Sequence, residues 1–241
     1  SLIACEDTRQ TKIILSKFEF TNKLISFNKH NSHNKIPKLI SDLNAGKSVA
    51  LVSDAGMPSI CDPGEDLVCR ARSLGIDIIC IPGPCAAITA LVSSGMPSSK
   101  FIFEGFLPKK QNERNKILLD ISKNRKTTIV YESPHRINKL LLELKNFCGG
   151  DREIQLYREL TKKFEEHIGN NINEVIEKIK DKEIIGEITV LIRGIKNSKN
   201  QDINLMILKN ELNELINAGL NLSSASKYLA KKSGLPQNTI Y

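Results

Sequence analysis

The sequence predicts an α/β protein built as two α/β domains with a cleft between them and a small helical extension at the C-terminus. Three observations predict it. Short apolar runs bounded by turn formers recur at residues 49–52, 76–81, 127–131, 154–158 and 187–193, too short for helices and right for buried strands. Helical stretches of crossover length lie between them, which calls for parallel pairing. From Asn197 onward the composition turns to Asn, Ser and Lys and the strand signals stop. The expected domains are therefore 1–104, 105–196 and 197–241.

In chain order, residues 7–18 place Ile13, Ile14, Leu15 and Phe18 behind Thr8 and Thr11, a helix. Residues 24–27 form a short strand, and Pro37 opens a helix that runs to Leu43 and stops at Asn44-Ala45-Gly46. The strand at 49–52 leaves through Ser53-Asp54-Ala55-Gly56-Met57-Pro58 and Asp62-Pro63-Gly64. Gly56 opens backbone conformations closed to other residues, while Pro58 and Pro63 fix φ and remove a donor. A helix over 65–74 ends at Gly75. The strand at 76–81 breaks at Pro82-Gly83-Pro84, and small residues from Cys85 to Val92 make the next helix. Residues 101–108 read as a boundary. Helices are expected at 116–122, 134–147 and 172–179 in the second domain, and at 205–216 and 222–232 in the extension. A tight turn at 233–236 between the last of these and 239–241 resembles half of a helix-turn-helix.

With 40% hydrophobic and 26% charged residues the chain has an ordinary globular composition. No apolar run approaches the roughly 18 residues of a membrane span, and no secretory signal is seen, which points to the cytoplasm. The opening residues 2–7 read as the middle of an element, so an earlier start is expected. Cysteines at 5, 61, 69, 80, 85 and 148 show no C-x-x-C spacing, which argues for reduced thiols and against a metal site. His30 and His33 have ligand spacing but no third partner nearby.

The net charge of +8 concentrates between Gly105 and Lys126, where seven basic residues face two acidic ones. Such a patch suits a polyanion such as RNA, and a solvated helix face has the same appearance. Three strand-to-helix loops share one design: 53–58, 81–87 and 131–136. In an open sheet ligands bind beyond the carboxyl ends of strands, so these loops are expected to face one another across the domain cleft. Neither G-x-G-x-x-G nor the phosphate-loop pattern occurs. Asp54 can bond a ligand hydroxyl or amine, or cap its loop. Glu132, His135 and Arg136 can accept a proton, donate one and hold an anion, or serve as polar residues at a helix start.

Taken in order, Glu6-Asp7-Thr8-Arg9, Val52-Ser53-Asp54-Ala55-Gly56-Met57-Pro58, Asp62-Pro63-Gly64, Ile81-Pro82-Gly83-Pro84, Ala86-Ala87-Ile88-Thr89-Ala90-Leu91, Phe103-Glu104-Gly105-Phe106-Leu107-Pro108, Tyr131-Glu132-Ser133-Pro134-His135-Arg136 and Arg158-Glu159-Leu160-Thr161-Lys162 resemble the ribosomal RNA small subunit methyltransferase I family of the tetrapyrrole-methylase superfamily. The resemblance covers nearly the whole chain. It implies two domains of tetrapyrrole-methylase type with S-adenosylmethionine (SAM) in the cleft. It further implies methylation of a cytidine ribose 2′-oxygen in the decoding region of small-subunit rRNA, within the assembled subunit, by a homodimer. By position, Asp54, Gly56, Met57 and Pro58 would line the cofactor with Cys85 and Ala86 beside it. Family members carry Ser at Cys85 and Cys61, and a thiol is the weaker donor. They also begin with a strand and a Thr-Pro-Ile-Gly-Asn loop that the sequence here does not contain. Glu132 and His135 are the expected proton acceptor or orienter. Arg9, His30, Arg136 and Arg158 are expected to hold flanking phosphates, with Lys109, Lys110 and Arg114 drawing in the RNA. The rival readings are a methylase of a tetrapyrrole or other small molecule, and a non-catalytic RNA-binding or ribosome-assembly protein.

Overall fold

Strand β1 (Leu2–Cys5) is the centre of a three-stranded parallel sheet, flanked by β2 (Lys23–Ser26) and β3 (Val49–Val52). The coordinates are a computed structural model and describe residues 1–195, 205–233 and 237–240. Each strand of this sheet is followed by a helix: α1 (Thr8–Lys17), α2 (Ser32–Asn44) and α3 (Glu65–Ser73). Asp7 caps α1 by accepting from Arg9 N at 2.8 Å. Helix α2 starts five residues before the proline expected to open it, so Pro37 lies inside the helix. Phe27, Leu39, Ile40, Leu67 and Ala71 pack with Ala4 as the core of this part.

Residues 76–81 differ from expectation. They form no strand, and Ile79 and Ile81 are 83% and 77% exposed. An apolar run becomes a strand only where a neighbour takes its N–H and C=O groups, and none of the described strands pairs with it.

The second sheet is mixed, in the order β4 (Phe101–Phe106), β5 (Thr127–Glu132), β8 (Ile188–Ile192), β6 (Glu153–Arg158) and β7 (Glu166–Asn171). Only β4 and β5 are parallel; the other pairs are antiparallel. Side chains alternate between its faces. Val130, Leu156 and Val190 meet α5 (Gln111–Lys123), α6 (Pro134–Cys148) and α7 (Ile172–Ile179) through Leu118, Leu141 and Val175. Ile129, Tyr157 and Leu191 face the other way, against Ala87, Ala90 and Leu91 of α4 (Ala86–Ser93). Helix α4 thus covers the second sheet, and the expected boundary at 104/105 falls inside β4 of that same sheet.

Residues Ser1–Ile195 form one compact unit, and the remaining residues a second. In the latter, α8 (Leu205–Asn217) and α9 (Leu222–Ser233) are joined by a pair between Lys232 and Glu211 at 3.0 Å. Asn221 Oδ1 accepts from Ser224 N at 2.8 Å, and a short α10 (Gln237–Ile240) follows. Of the turn expected at 233–236 all but Ser233 lies outside the described residues, as do residues 197–204, where the composition shift begins. Among the described residues no helix is long and apolar enough to cross a membrane.

Candidate active site

The carboxyl ends of β3 and β5 and the start of α4 meet at one cavity of about 450 Å³, within the range of small-molecule sites. Asp54, Gly56, Met57, Cys85, Ala86 and Glu132 all line it, so the three loops singled out by the sequence do share a crevice. Pro58 and His135 do not line it, and His135 is exposed on the first turn of α6. Lining residues that the sequence did not single out as site residues include Glu6, Asp62, Phe106, Tyr131, Glu187 and Thr189. Glu6 and Asp62 sit in turn motifs visible in the sequence. Tyr131 is placed by strand alternation, on the Ile129 face. No local signal marks Glu187.

The loop after β3 is tightly built. Ser53 Oγ donates to Gly56 O at 3.0 Å, and Asp7 N donates to Asp54 Oδ1 at 3.3 Å. Ser59 and Cys61 adopt φ of 69° and 64°, a region costly for residues with a Cβ. The Cys61 thiol comes within 2.7 Å of where a Cβ on Gly105 would stand, and Gly105 is at φ +61° in a bulge of β4. Glycine at 105 is what lets this loop close on the second sheet. Burial pushes the Cys61 thiol up, and pushes Asp62 up to about 6 with help from the Glu6 charge.

The second loop enters α4 through Cys85, whose backbone is extended. Ala87 N donates to the Tyr131 hydroxyl at 3.0 Å, tying the helix start to β5. Phe103 and Phe106 hold the Tyr131 ring edge-on at 5.0 and 5.7 Å, and burial lifts the phenol to about 12.

The third loop corrects an expectation. The Glu132 side chain is 0% exposed, and its oxygens take Ser133 N at 2.9 Å, Arg136 Nε at 3.2 Å and Arg114 at 3.3 Å. Three donors occupy the carboxylate expected to accept a proton. Arg114, expected to attract RNA, is 1% exposed and also reaches Glu143 at 2.6 Å, so it is a core residue. Arg136 donates to Leu107 O at 2.8 Å as well as pairing with Glu132, and Arg158 pairs with Glu166 at 3.0 Å. Both are half-buried and already paired. Arg9 is 88% exposed with its guanidinium on Asp7 at 2.6 Å; His30, Lys109 and Lys110 are exposed. Those four remain as surface groups.

Besides the ion-paired Glu132, the lining carboxylates are Glu6, Asp54, Asp62 and Glu187, joined by no lining Lys or Arg. A cavity of this sign suits a cationic ligand and disfavours phosphate. Among the described residues no three His, Cys, Asp or Glu side chains are grouped to hold a metal.

Fold and cavity together define a class. The family described as Tetrapyrrole (Corrin/Porphyrin) Methylases matches residues 1–176. The cobalt precorrin-4 methyltransferase CbiF superposes with a TM-score of 0.59 at 15% identity, covering 80% of this chain and 83% of that one. Uroporphyrin-III C-methyltransferase from Thermus thermophilus, complexed with S-adenosyl homocysteine, superposes with a TM-score of 0.53 at 16% identity, covering 79% and 84%. Closer in sequence are proteins named ribosomal RNA small subunit methyltransferase I. That of Vibrio cholerae is 41% identical over 100% of this chain and 83% of its own length. That of Synechocystis is 38% identical over 100% and 86%. The chain belongs to the ribosomal RNA small subunit methyltransferase I family, within the tetrapyrrole methylases.

Proposed function

We propose that this protein is a SAM-dependent methyltransferase of small-subunit rRNA that modifies a cytidine ribose 2′-oxygen in the decoding region, within the assembled subunit in the cytoplasm. The observation that carries this reading is the acid-lined cavity at the carboxyl ends of β3 and β5. When bound, SAM supplies a methyl group on a sulfonium already primed to leave. Its sulfonium and ammonium charges match the carboxylates of Asp54, Glu6 and Glu187, while Met57 and Phe106 offer apolar contact to its uncharged part. Gly56 at φ +74° would stand 3.6 Å from Pro84 O if given a Cβ, so the first two loops lie against each other and wall one side. The residues fit the group.

The same carboxylates repel phosphates, so the RNA backbone stays at the rim and only a sugar edge enters. Arg9, His30, Lys109 and Lys110 are the groups that would meet flanking phosphates. Rate enhancement then comes chiefly from holding donor and acceptor in line. Calorimetry should show one SAM site per chain, and label from SAM should pass to small ribosomal subunits and not to a porphyrinoid. Transfer to the porphyrinoid alone would favour a small-molecule methylase, and absence of SAM binding a non-catalytic RNA-binding protein.

A homodimer is part of the proposal. Ile13, Ile14, Phe18 and Phe20 are each about 60% exposed on and just after α1, an apolar cluster suited to self-association. Ile14→Glu is expected to convert a dimer to a monomer by light scattering; an unchanged mass would exclude this face.

A further inference from the structure

A hydroxyl becomes a competent nucleophile only when its proton has somewhere to go. The groups first considered do not provide for it. Glu132 is filled by three donors, and His135 is outside the cavity. The Tyr131 phenol, lifted to about 12, holds its own proton at neutral pH. Asp54 already accepts from Asp7 N. Asp62 differs from all of these. It lines the cavity half-buried and has no hydrogen-bond or ion-pair partner among the described residues.

The backbone presents Asp62 deliberately. Ser59 and Cys61 on its N-terminal side are both held at positive φ, and Gly64 on the other side is at φ +155°. Strain of this kind persists only where the surroundings over-determine it, and it gathers at functional sites. Here it turns an unpaired carboxylate into a cleft that also contains Glu6.

We propose that Asp62 is the proton acceptor for the attacking hydroxyl in this cleft, with Glu6 as its electrostatic neighbour. The inference rests on the methyl-transfer reading above. In the step assigned to it, the substrate O–H bond breaks and the proton passes to an Asp62 carboxylate oxygen. The substrate oxygen bonds to the methyl carbon, and the electron pair of the broken carbon–sulfur bond stays on sulfur. Burial and then the Glu6 charge set Asp62 to about 6, with Asp54 and Glu187 adding to the effect and Lys29 opposing it. That value leaves it ionised near neutrality yet a usable base.

The test is single-turnover methyl transfer to small subunits across pH, with SAM affinity measured in parallel by calorimetry. Wild type should gain rate through a limb near pH 6, where Asp62 loses its proton. Asp62→Asn should lose roughly 100-fold or more in rate while keeping SAM affinity within about threefold. In the free protein, the carbon-13 carboxyl signal absent from Asp62→Asn should titrate near pH 6, and Glu6→Gln should move that midpoint down. An Asp62→Asn enzyme with wild-type rate and limb would overturn the proposal. Loss of SAM binding in that variant would overturn it too, by making Asp62 a ligand contact. A large rate loss in Glu6→Gln with none in Asp62→Asn would transfer the role to Glu6. If wild type transfers no methyl group at all, the parent reading fails and this inference with it.

Discussion

Replacing Arg114 with Ala is expected to cost about 3–5 kcal/mol of stability, read as a lower midpoint in guanidinium unfolding. Arg114 bridges Glu132 and Glu143 from a position 1% exposed, and the Glu132 side chain is 0% exposed. Removing the guanidinium leaves Glu132 with Arg136 and Ser133 N, and leaves Glu143 with Gln111 at 3.0 Å and Lys139 at 3.7 Å. Glu132, with its side chain 0% exposed, cannot then turn to water to make up the lost charge. The pair alone is weak evidence of net stabilisation, because burying charge is costly. The cost of breaking it is large for the same reason. Lys109→Ala, five residues earlier and exposed, should stay within about 0.5 kcal/mol of wild type and instead weaken binding to the ribosomal subunit. If the two variants unfold alike, the ion-pair network does not hold α5 and α6 to the sheet. Glu132→Ala should lose stability for the same reason as Arg114→Ala, so activity in that variant must be compared at equal folded fraction.

These two cations were read alike from the sequence, and the reason is instructive. Counting charge over residues 105–126 cannot separate a solvated cation from a buried one. The helical period could have: Arg114, Leu118 and Ile121 are the buried residues of α5, spaced as one face. Strands buried on both faces were plain, as in Ile188–Ile192 where every residue is buried. Edge strand β7 was not, because Glu166–Asn171 is polar apart from the buried Ile168. The 76–81 run failed in the opposite direction, being apolar enough for a strand but unpaired among the described strands. At the cavity, turn chemistry marked the loops after β3 and β5, and residues of both line it. Which carboxylate in a loop is left unpaired depends on distant donors, such as Arg114 reaching Glu132, and no local pattern records that.

Gly64→Ala is the second large effect expected, and it acts on both stability and the cavity. Gly64 caps α3 at φ +155°, a conformation that costs an L side chain about 1–3 kcal/mol. A Cβ there would collide with Ser59 Oγ and come within 2.8 Å of Leu51 Cδ2. Leu51 is held in β3 by pairing with β1, so the displacement falls on residues 59–63. That segment already carries Ser59 and Cys61 at positive φ and has little freedom left to absorb it. Its movement shifts Asp62 and Cys61, and with Cys61 the contact to Gly105 of β4. SAM affinity should therefore fall about tenfold, equivalent to roughly 1.4 kcal/mol, together with a lower unfolding midpoint. Gly75→Ala is the matched comparison: φ is +72°, but nothing lies within 4 Å of the added methyl. It should lose about 1 kcal/mol of stability and leave SAM affinity unchanged. Equal affinities in the two variants would mean that the loop carrying Asp62 does not shape the cofactor cavity.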